Sequence, residues 1–318
     1  MVPIQTDRPY DVITFGDMCV DLVVRGDDVT PRFGQVEKLV GDYALEMGGS
    51  ACIFACQAAR LGLRVAVLGR VGDDDFGQLA VRRLTACGVD TRHIQVDPAL
   101  KTGLGVALCQ GGDRAILTYA GSLDALEPAH VTDEFLASAR HLHHASFFLQ
   151  SRLRPGIPAI FGRARALGVS TSLDTGWDPD ERWNSMLGET LPLTDVFMPN
   201  EQEALHITRA TSLDGAVAAL FARGVGMVFL KRGEAGASLH TAAEELHLGV
   251  TPATGGDSVG AGDSADAGFL AGWLRHLPLS VCLRIANSCG RAVAGAVGGL
   301  QGQPDWPAVA AMLERSNP

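Results

Sequence analysis

The sequence predicts an α/β fold of three layers, αβα, with a mostly parallel central sheet and a small antiparallel β lid. Two observations carry that prediction. Short apolar runs alternate with longer amphipathic stretches along most of the 318 residues, the pattern of parallel strands linked by covering helices. Two segments, near 18–47 and 100–122, break the rhythm and are flanked by no helix of their own. The chain therefore reads as one domain over 1–318, with those segments forming the lid.

The elements follow in order. Val12–Phe15 is a β-branched and aromatic run, and so a strand. Leu22–Glu46 is polar and extended, with Pro31 and Gly34. Ser50–Leu61 is a helix stopped at Gly62, Val65–Leu68 a strand, and Phe76–Cys87 a helix stopped at Gly88. Thr102–Tyr119 reads as a hairpin, with arms Leu104–Leu108 and Ala115–Tyr119 around the turn Gln110-Gly111-Gly112-Asp113. Strands Leu142–Phe148 and Val169–Leu173 bracket a helix Pro155–Leu167 stopped at Gly168. Next come strand Val196–Met198, helices Glu201–Ile207 and Leu213–Ala222 (stopped at Gly224) and strand Met227–Leu230. Three helices close the chain, near Ser264–Arg275, Ser280–Ala296 and Trp306–Leu313.

Composition narrows the function. Hydrophobic residues make up 47% and charged residues 19%, ordinary for a globular protein. The net charge of −10 repels phosphate backbones, so nucleic acid and anionic membrane are poor partners. The seven cysteines contain no CxxC pair and no zinc-like spacing, and Cys52 and Cys56, four apart on a helix, read as buried free thiols. No basic-then-apolar leader and no membrane-length apolar run occur. A reducing, cytoplasmic setting is expected.

The most specific stretch is Asp257-Ser258-Val259-Gly260-Ala261-Gly262-Asp263, running directly into an apolar helix, Ala265–Leu274. Gly260, Ala261 and Gly262 have almost no side chains, so their N–H groups can close around an anion at a helix N-terminus. Asp263 stands at the mouth of that cradle, where a carboxylate can accept the proton of an attacking hydroxyl. The bland alternative makes Asp263 the N-cap of the helix after a Gly-rich turn. No G-x-x-x-x-G-K-[ST] occurs, which excludes a P-loop, and the glycine spacing excludes a dinucleotide fingerprint.

The run Asp257–Leu270 resembles the C-terminal signature of the PfkB/ribokinase-like carbohydrate kinases. Gly48-Gly49-Ser50-Ala51, continuing to Ala59-Arg60-Leu61-Gly62, is similar to the N-terminal signature. Gly69–Asp74 with Gly77, Asn200-x-x-Glu203 after Pro199, and Lys231-Arg232-Gly233-Glu234-x-Gly236 match three further elements in order, so the resemblance spans essentially the whole chain. It implies a ribokinase-like fold and phosphoryl transfer from ATP to a hydroxyl of a small sugar or sugar derivative. Asp263 would be the base, and the N–H groups of Ala261, Gly262 and Asp263 the anion hole. Asn200 and Glu203 would organise Mg²⁺ and triphosphate largely through water, which suits a cation that dehydrates reluctantly. Taken alone, Glu203 reads better as a first-turn acid complementing the helix dipole. Lys231, Gly233, Gly236 and Asn287 would lie on the nucleotide, and Asp21, Gly48, Gly49 and Arg114 on the substrate. Gly298 and Gly299 fall where the family places a monovalent-cation loop.

Two departures stand out. Positions where the family carries Asn are Ile53 and Leu123 here, which removes hydrogen-bond donors from the substrate side. That keeps a nucleoside kinase of the same fold as an alternative, and a sensor that binds without turnover as another. His141, His143 and His144 read as structural strand residues; Asp174, Trp177 and Asp178 read as a rim loop or a plain turn; Lys231 and Arg232 read as phosphate contacts or solvated charges. An exposed lid edge offers a surface for a homodimer.

Overall fold

The computed structural model describes residues 7–111, 113–254, 256, 258–296 and 298–315. Its strands are β1 (Tyr10–Phe15), β2 (Cys19–Arg25), β3 (Asp42–Gly48), β4 (Val65–Gly72), β5 (Ile94–Asp97), β6 (Gly103–Gln110), β7 (Asp113–Tyr119), β8 (Ala139–His144), β9 (Ser170–Leu173), β10 (Val196–Phe197), β11 (Val228–Lys231), β12 (Ala237–His240) and β13 (Glu245–Leu248). Its helices are α1 (Ser50–Arg60), α2 (Asp75–Ala86), α3 (Asp133–Ala137), α4 (Ile157–Ala166), α5 (Leu187–Thr190), α6 (Glu201–Thr208), α7 (Leu213–Ala222), α8 (Ala261–Trp273), α9 (Leu279–Ala294) and α10 (Trp306–Arg315). The large sheet runs β13-β12-β11-β10-β9-β8-β1-β4-β5. Its pairings from β11 through to β5 are parallel, and β12 and β13 are added antiparallel at one edge.

Strand periodicity decides what covers each face. Along β1, Val12 joins the core formed with α1, α2, α8 and α9, whereas Ile13 and Phe15 join the opposite core with α3, α4, α6 and α7. The same alternation divides Val65 and Val67 from Ala66 and Leu68, and Phe229 from Val228 and Leu230. Both faces are apolar because both are buried, and helices supply the two outer layers of the predicted αβα arrangement.

A smaller sheet, ordered β3-β2-β6-β7, stands apart from this body. β3–β2 and β6–β7 are antiparallel, and β2 and β6 pair parallel in the middle. It takes up the two segments that broke the helix–strand rhythm. The polar Leu22–Glu46 stretch contributes strand only at its ends, through β2 and β3. Gly112, in the expected hairpin turn, lies outside the described residues.

Several boundaries moved for identifiable reasons. The strand expected at Leu142–Phe148 ends at His144, because Ser146 adopts a left-handed φ of 54° and Phe147–Leu149 turns into a 3₁₀ coil. β5, β12, β13 and the five-residue α3 had no clear sequence signal; β5 and β13 are short edge strands whose residues are half-buried at most. The helix after the Gly-rich turn begins at Ala261, three residues before the expected start, and this bears directly on the site.

Candidate active site

α8 starts abruptly. Gly260 is its N-cap in the left-handed region (φ 71°), and no side chain caps the helix. A Cβ at Gly260 would lie 2.7 Å from Gly299 Cα and 2.9 Å from Ile53 Cγ2, so both the backbone conformation and the space demand glycine. Asp263 is consequently not the N-cap but a first-turn residue, and the capping alternative fails on geometry. Ala261 N–H makes a long 3.4 Å bond to Ser258 O. Asp257 lies outside the described residues.

The first turn of α8 divides two environments. Ala261, Gly262 and Ala265 line a cavity of about 500 Å³, while Asp263 is not part of that lining and lies within reach of the Ser50 side chain. Asp263 is buried, and its carboxyl is pushed up to about 7, chiefly by burial and next by repulsion from Asp174, with Lys231 opposing. A base near neutrality is the state in which a carboxylate removes a hydroxyl proton most effectively.

On the Ser50 side, three acids gather around one helical turn. Burial raises the Cys52 thiol, and Asp17, Asp263 and Asp21 raise it further, which places all three carboxylates within electrostatic reach of it. Asp17 follows β1 and caps α1 from a distance, accepting from Ser50 N at 2.8 Å and Ala51 N at 3.0 Å; Ser146 Oγ donates to it at 2.7 Å. Gly49, the N-cap of α1, has no side chain to satisfy those donors, so an acid 32 residues or more upstream does so. Burial raises Asp17 despite these bonds. Asp21, on β2, is nested between backbones: a Cβ at Gly48 would sit 2.3 Å from its Oδ2, and one at Gly105 2.4 Å from its Oδ1. Gly49 is held at φ 89° with its α-carbon against Asp17 O.

Beneath the α8 turn lies a buried charge cluster. Lys231 Nζ donates to Asp174 Oδ2 at 2.6 Å and to Asp266 Oδ2 at 3.0 Å. Burial alone would lower the lysine, but the two carboxylates outweigh it and hold the ammonium above its ordinary range. Burial opposes ionisation of Asp174 too, and Lys231 overcomes it, so Asp174 titrates low; Asp266 is driven well up by burial, with Asp174 adding repulsion. The cluster thus sets one ammonium between an acid held low and an acid driven up. Lys231 borders the cavity, but its ammonium is engaged by these acids, not solvated.

Asn200 and Glu203 form a capping box at the start of α6: Glu203 N donates to Asn200 Oδ1 at 2.9 Å, and Asn200 N to Glu203 Oε2 at 2.8 Å. Glu203 is buried and raised to about 7, by burial first and then by Asp174. Glu203 and Asp263 are both raised chiefly by burial and next by Asp174, and a divalent cation beside them would lower both. Among the described residues no cluster of three or more acidic, Cys or His side chains could cage a metal, so the donor set fits an ion that keeps water and phosphate ligands.

Small residues dominate the 500 Å³ cavity, including Gly233, Gly236, Ala237, Ala253, Ala286 and Ala294. Gly233 (φ 53°) is open on its Cβ side, whereas a Cβ at Gly236 would lie 2.1 Å from Leu248 O, so Gly236 is required by packing. Asn287 borders the cavity and spends its amide on Leu248 O at 2.8 Å, tying α9 to β13. Ile53 is buried on Gly260 and Gly299, and Leu123 is buried against Gly103. Arg114, on β7, reaches across to the loop before α8, where its Nη1 donates to Ser258 Oγ at 2.8 Å. Gly298 packs on Glu46 of β3, and Val297 lies outside the described residues. The histidines are structural. His141 bonds Ser170 and Ser172 at 2.8 and 2.7 Å, His143 stacks on Phe54, and burial lowers all three, His141 to about 3 and His144 to about 4.

A family model described as pfkB family carbohydrate kinase matches residues 10–306. The chain belongs to that family. An ATP-dependent ribose-1-phosphate kinase from Halopiger xanaduensis is 31% identical to this carbohydrate kinase over 300 residues, covering 90% of the chain and 94% of the relative. An Escherichia coli structure in complex with ATP and Mg²⁺ superposes with a TM-score of 0.84 at 27% identity, over 96% and 99% of the two chains. The adenosine kinase of Sinorhizobium meliloti superposes with the same TM-score at 25% identity and the same coverage. In this kinase the sequence reading missed Asp17, Ser50, Ser146 and Asp266 as parts of the site. Asp266, one turn after Asp263 and in an otherwise apolar helix, was the one signal available.

Proposed function

We propose that this carbohydrate kinase transfers the γ-phosphoryl of ATP to a hydroxyl of a small sugar or sugar derivative, with Asp263 as general base. The observation that carries the reading is the position of Asp263: buried, raised to about 7, and separated from the 500 Å³ cavity only by the turn whose N–H groups start α8. A nucleotide in the cavity and a sugar among Asp21, Gly48, Gly49 and Asp263 would meet across that turn. Asp263 takes the hydroxyl proton, and the Gly260–Asp263 backbone receives the charge on the phosphoryl group, a task of positioning and electrostatics. Asn200 and Glu203 would hold Mg²⁺ with Lys231 bordering the phosphates; when bound, the ion neutralises phosphate charge. The small residues around Gly233 and Asn287 suit a flat adenine.

The smaller sheet acts as a lid, since Arg114 bridges it to the anion turn at Ser258, and closure would exclude water. The lid exposes Phe33, Leu39, Tyr43, Ile116 and Leu117, which supports a homodimer through this sheet; a monomer by light scattering at working concentration would count against it. A monovalent cation at the Gly298–Gly299 loop belongs to the same proposal and is tested by exchanging K⁺ for Na⁺. A nucleoside acceptor is the second reading, supported by apolar Ile53 at the α8 turn and by the likeness to an adenosine kinase.

The deciding experiment is ADP release with Mg·ATP against pentoses, hexoses, sugar phosphates and nucleosides. Acceptor-dependent ADP that disappears in Asp263→Asn supports the proposal and names the acceptor class. Nucleotide binding without turnover across the panel would replace it with a sensor.

A further inference from the structure

A second cavity, of about 490 Å³, lies outside the catalytic site, between α1, α2, β3 and the 300–302 loop. It is lined by Glu46, Arg60, Arg83, Cys87 and Gln301. Cys87 caps the C-terminus of α2 and is half-buried, open to this cavity. Beneath it, Cys56, one turn before Arg60 on α1, is buried in the core against which Cys87 packs. Two guanidinium groups therefore face one thiol that has a second thiol at its back. The opposing charge is Glu46, which is paired with Arg83 at 3.4 Å and accepts from Gln301 at 3.4 Å.

We propose that Cys87 and Cys56 form a thiol modification site, where a peroxide-class oxidant converts Cys87 to a sulfenic acid and Cys56 resolves it to an intramolecular disulfide. The Cys87 thiolate attacks one peroxide oxygen, forming the S–O bond and releasing hydroxide. The Cys56 thiol then attacks the Cys87 sulfur, forming the S–S bond, and its proton leaves with the sulfenic oxygen as water. The surroundings divide the two roles. Interaction with the neighbouring Cys56 thiol lowers Cys87 to about 6, with burial opposing and Arg60 and Arg83 assisting. The same interaction and burial raise Cys56, so it is the protonated partner that waits. The disulfide would cross-link α1, whose N-terminus carries Ser50, to α2.

The test uses the intact chain treated with dilute hydrogen peroxide and analysed by peptide mass spectrometry. A Cys56–Cys87 linked peptide is expected, with a loss of about 2 Da that dithiothreitol reverses. Cys56→Ser should instead give a dimedone adduct at Cys87, and Cys87→Ser neither product. Independently, iodoacetamide labelling of Cys87 in the unmodified chain should rise through about pH 6 and level off, a readout that survives if Cys56→Ser fails to fold. Oxidation with no Cys56–Cys87 link, or labelling of Cys87 that still climbs above pH 8, would overturn the proposal.

Discussion

Replacing Asp263 by Asn separates the burial of this acid from its chemistry. The folded chain holds the carboxyl at about 7 against an ordinary 3.8, so above pH 4 folding must keep a proton on the acid or bury its charge. A raised carboxylate works against folding: wild-type stability falls as pH rises from about 4 to 7 and is level beyond. Three units correspond to roughly 4 kcal/mol in full, and about 3 kcal/mol between pH 5 and pH 8. Asn cannot ionise, so the variant should gain on the wild type by that amount between the two pH values. For a chain of 318 residues this is a relative rise in Tm of about 4–5 °C. Differential scanning calorimetry of the ligand-free protein at pH 5 and 8 measures it directly. In the same preparation kcat should fall by about 10²–10⁴-fold, and wild-type kcat/KM should rise through about pH 7. A Tm difference equal at both pH values would refute the electrostatic reasoning, and a variant that keeps its turnover would refute the assignment of the base.

Lys231→Met leaves Asp174 buried without its ammonium and should cost about 3–5 kcal/mol in urea unfolding; an unchanged midpoint would show that the cluster contributes nothing to the fold. Gly49→Ala places a Cβ 2.4 Å from Asp17 O at φ 89°, so roughly 1–3 kcal/mol should be lost, together with the position of Ser50; circular dichroism melts read the first. Arg114→Ala removes one exposed hydrogen bond to Ser258, which predicts a rise in KM of about 2–10-fold at constant kcat, and a fall in kcat alone would contradict a closing role.

The Gly-rich turn before α8 was legible because its parts are contiguous. Gly260, Ala261 and Gly262 carry almost no side chain, which marks a tight turn at a helix start, and an acid follows at once. The neighbouring acids were not legible in the same way. Asp17 precedes α1 by more than 30 residues, and only the return of the chain through β2 and β3 brings it to the helix whose donors it satisfies. Likewise Lys231 had equal claims to solvent and to phosphate until β11 set its ammonium between Asp174, after β9, and Asp266, on α8.

The sequence by itself determined the layers, because strands read as β-branched runs and helices as amphipathic stretches, and each pattern can bury its apolar residues in only one way. It also determined the family and the position of the Gly-rich turn before α8, since both rest on short local motifs. Tertiary structure alone decided where α8 begins: Gly260 must be left-handed to pack on Gly299 and Ile53, a contact between segments far apart in sequence. It alone packed Cys87 against the core that holds Cys56, and raised Asp263 and Glu203 to neutrality. Burial and charge are sums over neighbours from the whole chain, and no local pattern carries them.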